Sequence, residues 1–213
     1  MKIDNILKIG RESYKADNLN IFGEIDSISY QFIVKDDVVF ETKGKDVESC
    51  RKSLSSFIKS RTVCFTGHRK MLSDRSELYN NLMAELNFCY RKGFRYFIAG
   101  GAKGFDSFAA QRVIEFKETH QDVLLIIAVP FKNQAAKFDD KDKKLYDEIL
   151  DKADFYIVLS EEFYDGCYLH RNDFMIAYSS HIIAYWDGKR IGGTSYTCRK
   201  ALSKADFGFH NLL

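Results

Sequence analysis

The chain has 213 residues, 46% hydrophobic and 29% charged, with a formal net charge of +2. That length supports one ample core, or a core with a small appendage, and one proline with 13 glycines argues against a disordered or linker-rich chain. The near-neutral balance excludes the strongly basic face of a dedicated duplex-DNA binder, but not a local basic pocket for one phosphorylated small molecule.

Residues 1–60 read differently from the rest, and the first 20 fit no clear pattern. Ile28, Tyr30, Phe32 and Val34 alternate with Ser29, Gln31 and Ile33 at strand period. Asp36-Asp37 turns the chain and Val38–Thr42 predicts a return strand ended by Gly44. Val47, Cys50, Leu54, Phe57 and Ile58 follow at helical spacing. A hairpin and one helix make a small α+β appendage, too little for a core of its own, so it is expected to dock on the main domain or on a second subunit.

From Arg61 onward strand and helix patterns alternate. Val63–Thr66, Tyr96–Ala99, Leu124–Val129, Phe155–Leu159 and His181–Trp186 predict five strands. Between and after them, helices are predicted over Asp74–Arg91, Lys103–Thr119, Asp139–Lys152, Arg171–Ser180 and Thr194–Lys204. The unbroken apolar run Leu124–Val129 is the pattern of a strand covered on both faces. Five βα units imply an α/β domain over 61–213, a doubly wound parallel sheet of about five strands. Each strand runs into a polar, glycine-containing or charged cluster, so all five clusters fall on the carboxyl edge of the sheet, where ligands bind.

Gly100-Gly101-Ala102-Lys103-Gly104-Phe105-Asp106 joins a strand to a helix. It reads either as a phosphate cradle, with backbone N–H groups, a helix N-terminus and Lys103 facing an anion, or as a tight turn with a capped helix. It matches neither G-x-G-x-x-G nor a Walker A sequence. Asp106 sits where an acid caps a helix, or where it accepts from a ribose hydroxyl or acts as a general acid or base. After the first strand, Thr66, Gly67, His68 and Arg69 offer hydrogen bonds and a bidentate phosphate partner. Gly192, Gly193, Thr194 and Thr197 open the last helix and suit a second phosphate position or N-capping. Arg171-Asn172 is placed at a helix start, where a cation is unfavourable unless a bound anion or a nearby carboxylate offsets it. Asp187 is a second candidate carboxylate, against the plainer reading of Asp187-Gly188 as a turn, while Glu161-Glu162 reads as a solvated loop. Phe131 and Trp186 are candidates to stack on a base or to fill the core.

The five cysteines are widely spaced, with no C-x-x-C pair, so neither a disulfide framework nor a metal site is expected; Cys64 and Cys89 read as small core residues. The N-terminus lacks the apolar core of a signal peptide and no apolar run approaches membrane-spanning length, which predicts a cytoplasmic protein with no membrane partner.

Six motifs occur in order: Thr66-Gly67-His68-Arg69, Gly100-Gly101-x-x-Gly104-Phe105-Asp106, Val129-Pro130-Phe131, Arg171-Asn172-x-x-Met175, Trp186-Asp187-Gly188 and Gly192-Gly193-Thr194-x-x-Thr197. Over about residues 61 to 205 the chain resembles the YpsA-like branch of the SLOG superfamily, which includes the Lonely Guy phosphoribohydrolases and the DNA-processing protein A family. The resemblance implies a Rossmann-like domain of bacterial or phage origin, holding a nucleotide or nucleotide derivative at the sheet edge, and a homo-oligomer. Lonely Guy enzymes carry P-G-G-x-G-T-x-x-E. Here Ile191, Ser195, Tyr196 and Arg199 stand at the proline, third glycine, threonine and glutamate positions. Loss of that glutamate argues against the Lonely Guy reaction. The expectation is therefore a nucleotide-binding sensor or signal-processing module without a further cofactor. The alternative is a hydrolase of an N-glycosidic or phosphate bond using Asp106 or Asp187, and a single-stranded nucleic-acid binder is the least supported reading.

Overall fold

The computed structural model describes residues 3–19, 25–71 and 74–213. The chain divides into two compact units, residues 1–60 and 61–213.

The first unit begins with a 3₁₀ turn, Ile3–Ile9, followed by strands β1 (Arg11–Leu19), β2 (Ile25–Val34) and β3 (Asp37–Gly44) and helix α1 (Val47–Ser60). The strands form one antiparallel sheet in the order β1-β2-β3. The expected hairpin and helix are both present, with the turn at Lys35-Asp36, whose positive φ values of 51° and 68° match a two-residue hairpin loop. Strand β1 was not foreseen, because Arg-Glu-Ser-Tyr-Lys-Ala-Asp carries no apolar alternation and Tyr14 is exposed. Polar contacts fix it instead. Arg51 on α1 donates two bonds to Glu12, at 2.8 and 2.7 Å, and the Tyr30 hydroxyl donates to the same carboxylate. Ile6, Ile28, Tyr30, Phe32, Cys50, Leu54 and Ile58 are buried.

The second unit alternates β4 (Thr62–Gly67), α2 (Arg75–Arg91), β5 (Tyr96–Ala99), α3 (Phe105–Lys117), β6 (Leu124–Val129), α4 (Asp140–Lys152), β7 (Phe155–Val158), α5 (Cys167–Ala177), β8 (His181–Tyr185), α6 (Gly193–Leu202) and β9 (Gly208–Asn211). All six strands are parallel, in the order β7-β6-β5-β4-β8-β9. This is the Rossmann-like arrangement, with one strand more than expected. The added strand, Gly-Phe-His-Asn, is too short to show a period.

Odd-numbered strand residues such as Val63, Phe65, Phe97, Leu125 and Ile183 pack in one cluster with Leu78, Leu82, Leu86 and Cys89 of α2 and with Phe105, Ala109 and Val113 of α3. The alternate residues Cys64, Ile98, Ile126 and Ile182 point to the other face and are equally buried. Full burial of each Leu or Ile contributes about 1.5–3 kcal/mol, which is why β6 carries no polar side chain. Helix starts follow local chemistry: Asp74 accepts from the Ser76 N–H and Asp139 from the Asp142 N–H.

One boundary moves a predicted site. Helix α5 starts at Cys167, after Gly166 in the left-handed region, so Arg171 and Asn172 lie in its second turn and not at its N-terminus. Exposed Tyr168 and Leu169 hid the start by breaking the apolar pattern. The strand order reverses between β4 and β8. The chain leaves β4 for β5, β6 and β7 on one side and returns through β8 and β9 on the other, so a crevice opens at the carboxyl ends of β4 and β8. No helix among the described residues is long and apolar enough to cross a membrane.

Candidate functional site

A cavity of about 320 Å³ opens at that crevice. Thr66, Gly67, His68 and Arg69 line it from the end of β4, Lys103 and Asp106 from the start of α3, Arg171 and Asn172 from α5, and Gly192, Gly193 and Thr194 from the start of α6. A second cavity of about 670 Å³ shares Arg69, Ala102, Lys103 and Tyr168 with the first and runs toward Phe131, Gln134 and Phe163. Residues separated by up to 129 positions thus border two adjoining cavities that share a wall.

The glycines of the cleft divide by what faces their missing side chains. A Cβ on Gly67 would come within 2.5 Å of Phe105, one on Gly104 within 2.4 Å of the Arg69 carbonyl oxygen, and one on Gly100 within 1.7 Å of Arg171 Nη1. These three make room for protein. Gly101, at φ 63°, turns its carbonyl to Gln134 Nε2 at 2.7 Å. Gly192 has nothing within 4 Å of a built Cβ, and Gly193 only Asn172 Nδ2 at 3.8 Å. The open positions are at the start of α6, where no side chain caps the helix. The first N–H groups of a helix lack intrahelical acceptors, so this end attracts an anion. Ser195 Oγ, buried in the same turn, has no hydrogen-bond partner among the described residues.

The start of α3 is filled by contrast. Phe105 N–H donates to the His68 carbonyl at 3.1 Å and Ser107 donates to Ala102 O through both N–H and Oγ. The Asp106 carboxylate takes backbone hydrogen bonds from Gly100 and Ala102. Lys103 turns its ammonium to Asp139 at 3.0 Å and Asp142 at 2.6 Å, tying this loop to α4. As placed, Gly100–Asp106 is a tight turn stitched to its neighbours, and its lysine is already paired.

Asp106 and Arg171 meet at 3.8 Å, both buried. Burial pushes the Asp106 carboxyl above its ordinary range, and the Arg171 guanidinium offsets part of that rise. Arg171 also donates to the Gly100 carbonyl and, through Nε, to Asn172 Oδ1 at 2.9 Å. Asn172 Nδ2 donates to Thr197 Oγ1 at 2.8 Å, and that hydroxyl donates to Gly193 O at 2.8 Å. Thr197 is buried and does not line the cavity; it holds α5 and α6 together behind it. Arg69 is exposed at the junction of the two cavities, with no carboxylate partner among the described residues.

Asp187 lies outside the lining of either cavity. Lys189 Nζ pairs with it at 2.8 Å and His68 Nε2 lies 3.0 Å away. The hydrogen bond from Lys189, with help from its backbone N–H and from His68, holds the Asp187 carboxyl at about 2. Its folded value is depressed, so its contribution to stability is complete above the ordinary 3.8 and is lost as pH falls toward 2. Melting curves between those pH values are expected to show a smaller acid-induced loss in Asp187→Asn than in the parent. Trp186 is likewise held away from the cavities, its Nε1–H donating to Lys189 O at 2.9 Å.

The aromatic part of the cleft was legible only at Phe131. Its ring meets Phe163 edge-on at 5.4 Å and Tyr168 at 5.9 Å. Phe163 and Tyr168 sit in a run with no period, and nothing in the sequence turns them toward Phe131. Gln134, also unforeseen, presents a buried Oε1 with no partner among the described residues. Exposed Glu161 and Glu162 lie on the rim of this end, and Glu161 pairs with Lys132 at 3.4 Å.

The sequence profile of the YpsA family, described as the YspA SLOG family, matches residues 65–210. The chain belongs to that family. It is 33% identical over 129 residues to an uncharacterized SPbeta prophage-derived protein, YoqJ, of Bacillus subtilis, covering 54% of this chain and 75% of that protein. A UPF0398 protein of Halalkalibacterium halodurans is 29% identical over 107 residues, covering 49% of this chain and 57% of the relative. A UPF0398 protein of Staphylococcus epidermidis is 25% identical over 146 residues, or 64% and 78%. The match thus spans little more than half the length of the Halalkalibacterium protein, and residues 1–60 lie wholly outside the profile.

Proposed function

We propose that this YpsA-family protein binds a phosphorylated nucleotide derivative across the β4–β8 crevice. The observation that carries the reading is a pair of adjoining cavities, with an uncapped, side-chain-free helix start in one and three aromatic rings in the other. A phosphate fits the α6 end, on the N–H groups that follow Gly192 and beside the Arg69 guanidinium, which has no carboxylate partner among the described residues. It does not suit the other end, where Glu161 and Glu162 would repel it. The base suits the rings of Phe131, Phe163 and Tyr168, with Gln134 Oε1 free to accept from an amino or imino N–H.

The test is thermal shift and calorimetry with nucleoside mono- and diphosphates, ADP-ribose and cyclic nucleotides, against the matching nucleosides. A phosphorylated ligand at 100 times its dissociation constant is expected to add about 2.7 kcal/mol of stability. Arg69→Ala is expected to weaken binding by roughly tenfold or more, the loss of a charge-assisted hydrogen bond, without changing the melting of the free protein. If no phosphorylated compound shifts the folded protein, the reading fails.

A second reading, hydrolysis of a nucleotide's N-glycosidic or phosphate bond, draws on one observation: Asp106 is a cavity-lining carboxyl pushed upward by burial, the condition of a general acid. Asp187, held ionised and outside the cavity, fits that role poorly.

A further inference from the structure

On the opposite edge of the sheet the structure brings together three side chains that the sequence keeps far apart. Glu85 and Cys89 lie one turn apart on α2 and point the same way, and His181 opens β8 at its amino end. Glu85 Oε1 is 3.3 Å from His181 Nε2 and 3.7 Å from Cys89 Sγ, and the three ligand atoms all lie within 4.8 Å of one another. Tetrahedral zinc, with bonds of about 2.0–2.1 Å to N or O and 2.3 Å to S, sets its ligand atoms about 3.3–3.8 Å apart. The two edges that meet at Glu85 already have that spacing, and the Cys89–His181 edge, within 4.8 Å, needs at most a small closure.

Two further observations separate it from an ordinary buried ion pair. Glu85 is buried with no lysine or arginine within ion-pair reach among the described residues, so its charge has only imidazoles to balance it. His181 Nε2 is shielded from water yet makes no well-aligned hydrogen bond, despite the carboxylate at 3.3 Å. The position of the ring also depends on Gly208. A Cβ there would come within 2.1 Å of His181 Nδ1, so glycine in β9 is what leaves space for the imidazole against the strand.

We propose that Glu85, Cys89 and His181 form a binding site for a zinc-class divalent transition metal, with His210 as the orienting partner of Glu85. One imidazole, one thiolate and one carboxylate suit a borderline metal such as zinc or cobalt and not magnesium or calcium. His210 Nδ1 lies 3.3 Å from Glu85 Oε2, while the other two ligands meet Oε1, so it sets the carboxylate's direction. Binding releases the thiol proton, and a dication then balances the carboxylate and thiolate charges. The metal would tie α2 to β8, about 13 Å along the strand from the nucleotide crevice. No C-x-x-C or H-x-x-x-H spacing announces it, because the third ligand is 92 residues from the second.

The test is titration of the tag-free, chelator-treated full chain with cobalt(II), then competition with zinc(II). One equivalent of cobalt is expected to produce a thiolate-to-cobalt charge-transfer band and the intense visible bands of a tetrahedral ion, both erased by one equivalent of zinc. Cys89→Ser is expected to remove the charge-transfer band, and His210→Gln to lower affinity by about 10–100-fold while keeping it. Zinc is expected to raise the melting temperature of the parent and not of Cys89→Ser. Absence of the band in folded parent protein overturns the site, whatever the variants do, and so does a band that survives Cys89→Ser.

Discussion

Gly104→Ala is expected to destabilise the 61–213 unit by about 2–6 kcal/mol, read as a fall in the urea midpoint. Two costs add. Gly104 sits at φ 85°, ψ −125°, a conformation closed to residues with a Cβ, and forcing an alanine there costs roughly 1–3 kcal/mol. The new methyl would also lie 2.4–2.6 Å from the O, Cα and C atoms of Arg69, which are backbone and cannot swing aside, a further ~1–3 kcal/mol of overpacking. Gly188→Ala separates the two. Gly188 has φ 77° but nothing within 4 Å of the added methyl, so only the backbone cost of about 1–2 kcal/mol remains. If the two variants lose the same stability, the close approach of the β4–α2 loop to the start of α3 is wrong. That approach matters to the cleft, since it places the Arg69 side chain at the junction of the two cavities.

Much of the architecture was legible because burial writes itself into the sequence. The run Leu124–Val129 and the face Leu78, Leu82, Leu86, Cys89 are where they are because a two-sided sheet leaves no room for polar side chains there. Connectivity then puts every strand-to-helix loop on one edge, so the location of the cleft follows from alternation alone. Orientation was not legible. Gly100-Gly101-x-x-Gly104 and Gly192-Gly193 look alike as strings, yet the first is packed against Arg171 and Arg69 and the second faces open space. Lys103 has the chemistry of a phosphate ligand, and only the placement of Asp139 and Asp142 at the start of α4 shows it already paired. Elements held by polar contacts or by neighbours, such as β1 and β9, leave no periodic trace. The Glu85–Cys89–His181 cluster joins residues whose spacing carries no motif, because a helix and a distant strand supply them.

Arg171→Met is expected to cost about 3–5 kcal/mol, because it leaves the Asp106 carboxylate buried without its cation. The pH dependence identifies the cause. Burial already raises the folded-state value of Asp106, and loss of Arg171 raises it further. An acid whose folded value lies above its unfolded one binds its proton more tightly in the folded state, so stability falls as pH rises from about 3.8 through the folded value. The penalty of Arg171→Met should therefore be small in acid and grow toward neutrality. Adding Asp106→Asn removes the charge and should recover much of the loss and all of the new slope, a coupling that a double-mutant cycle reads directly. A penalty independent of pH and unrelieved by the second substitution would mean that Arg171 acts through the Gly100 carbonyl and Asn172 and not through Asp106. The single variant Asp106→Asn then divides the two functional readings. In a binding module it retains nucleotide affinity in proportion to its fold; in a hydrolase it binds the ligand and loses turnover, since an amide of the same shape cannot donate or accept the proton.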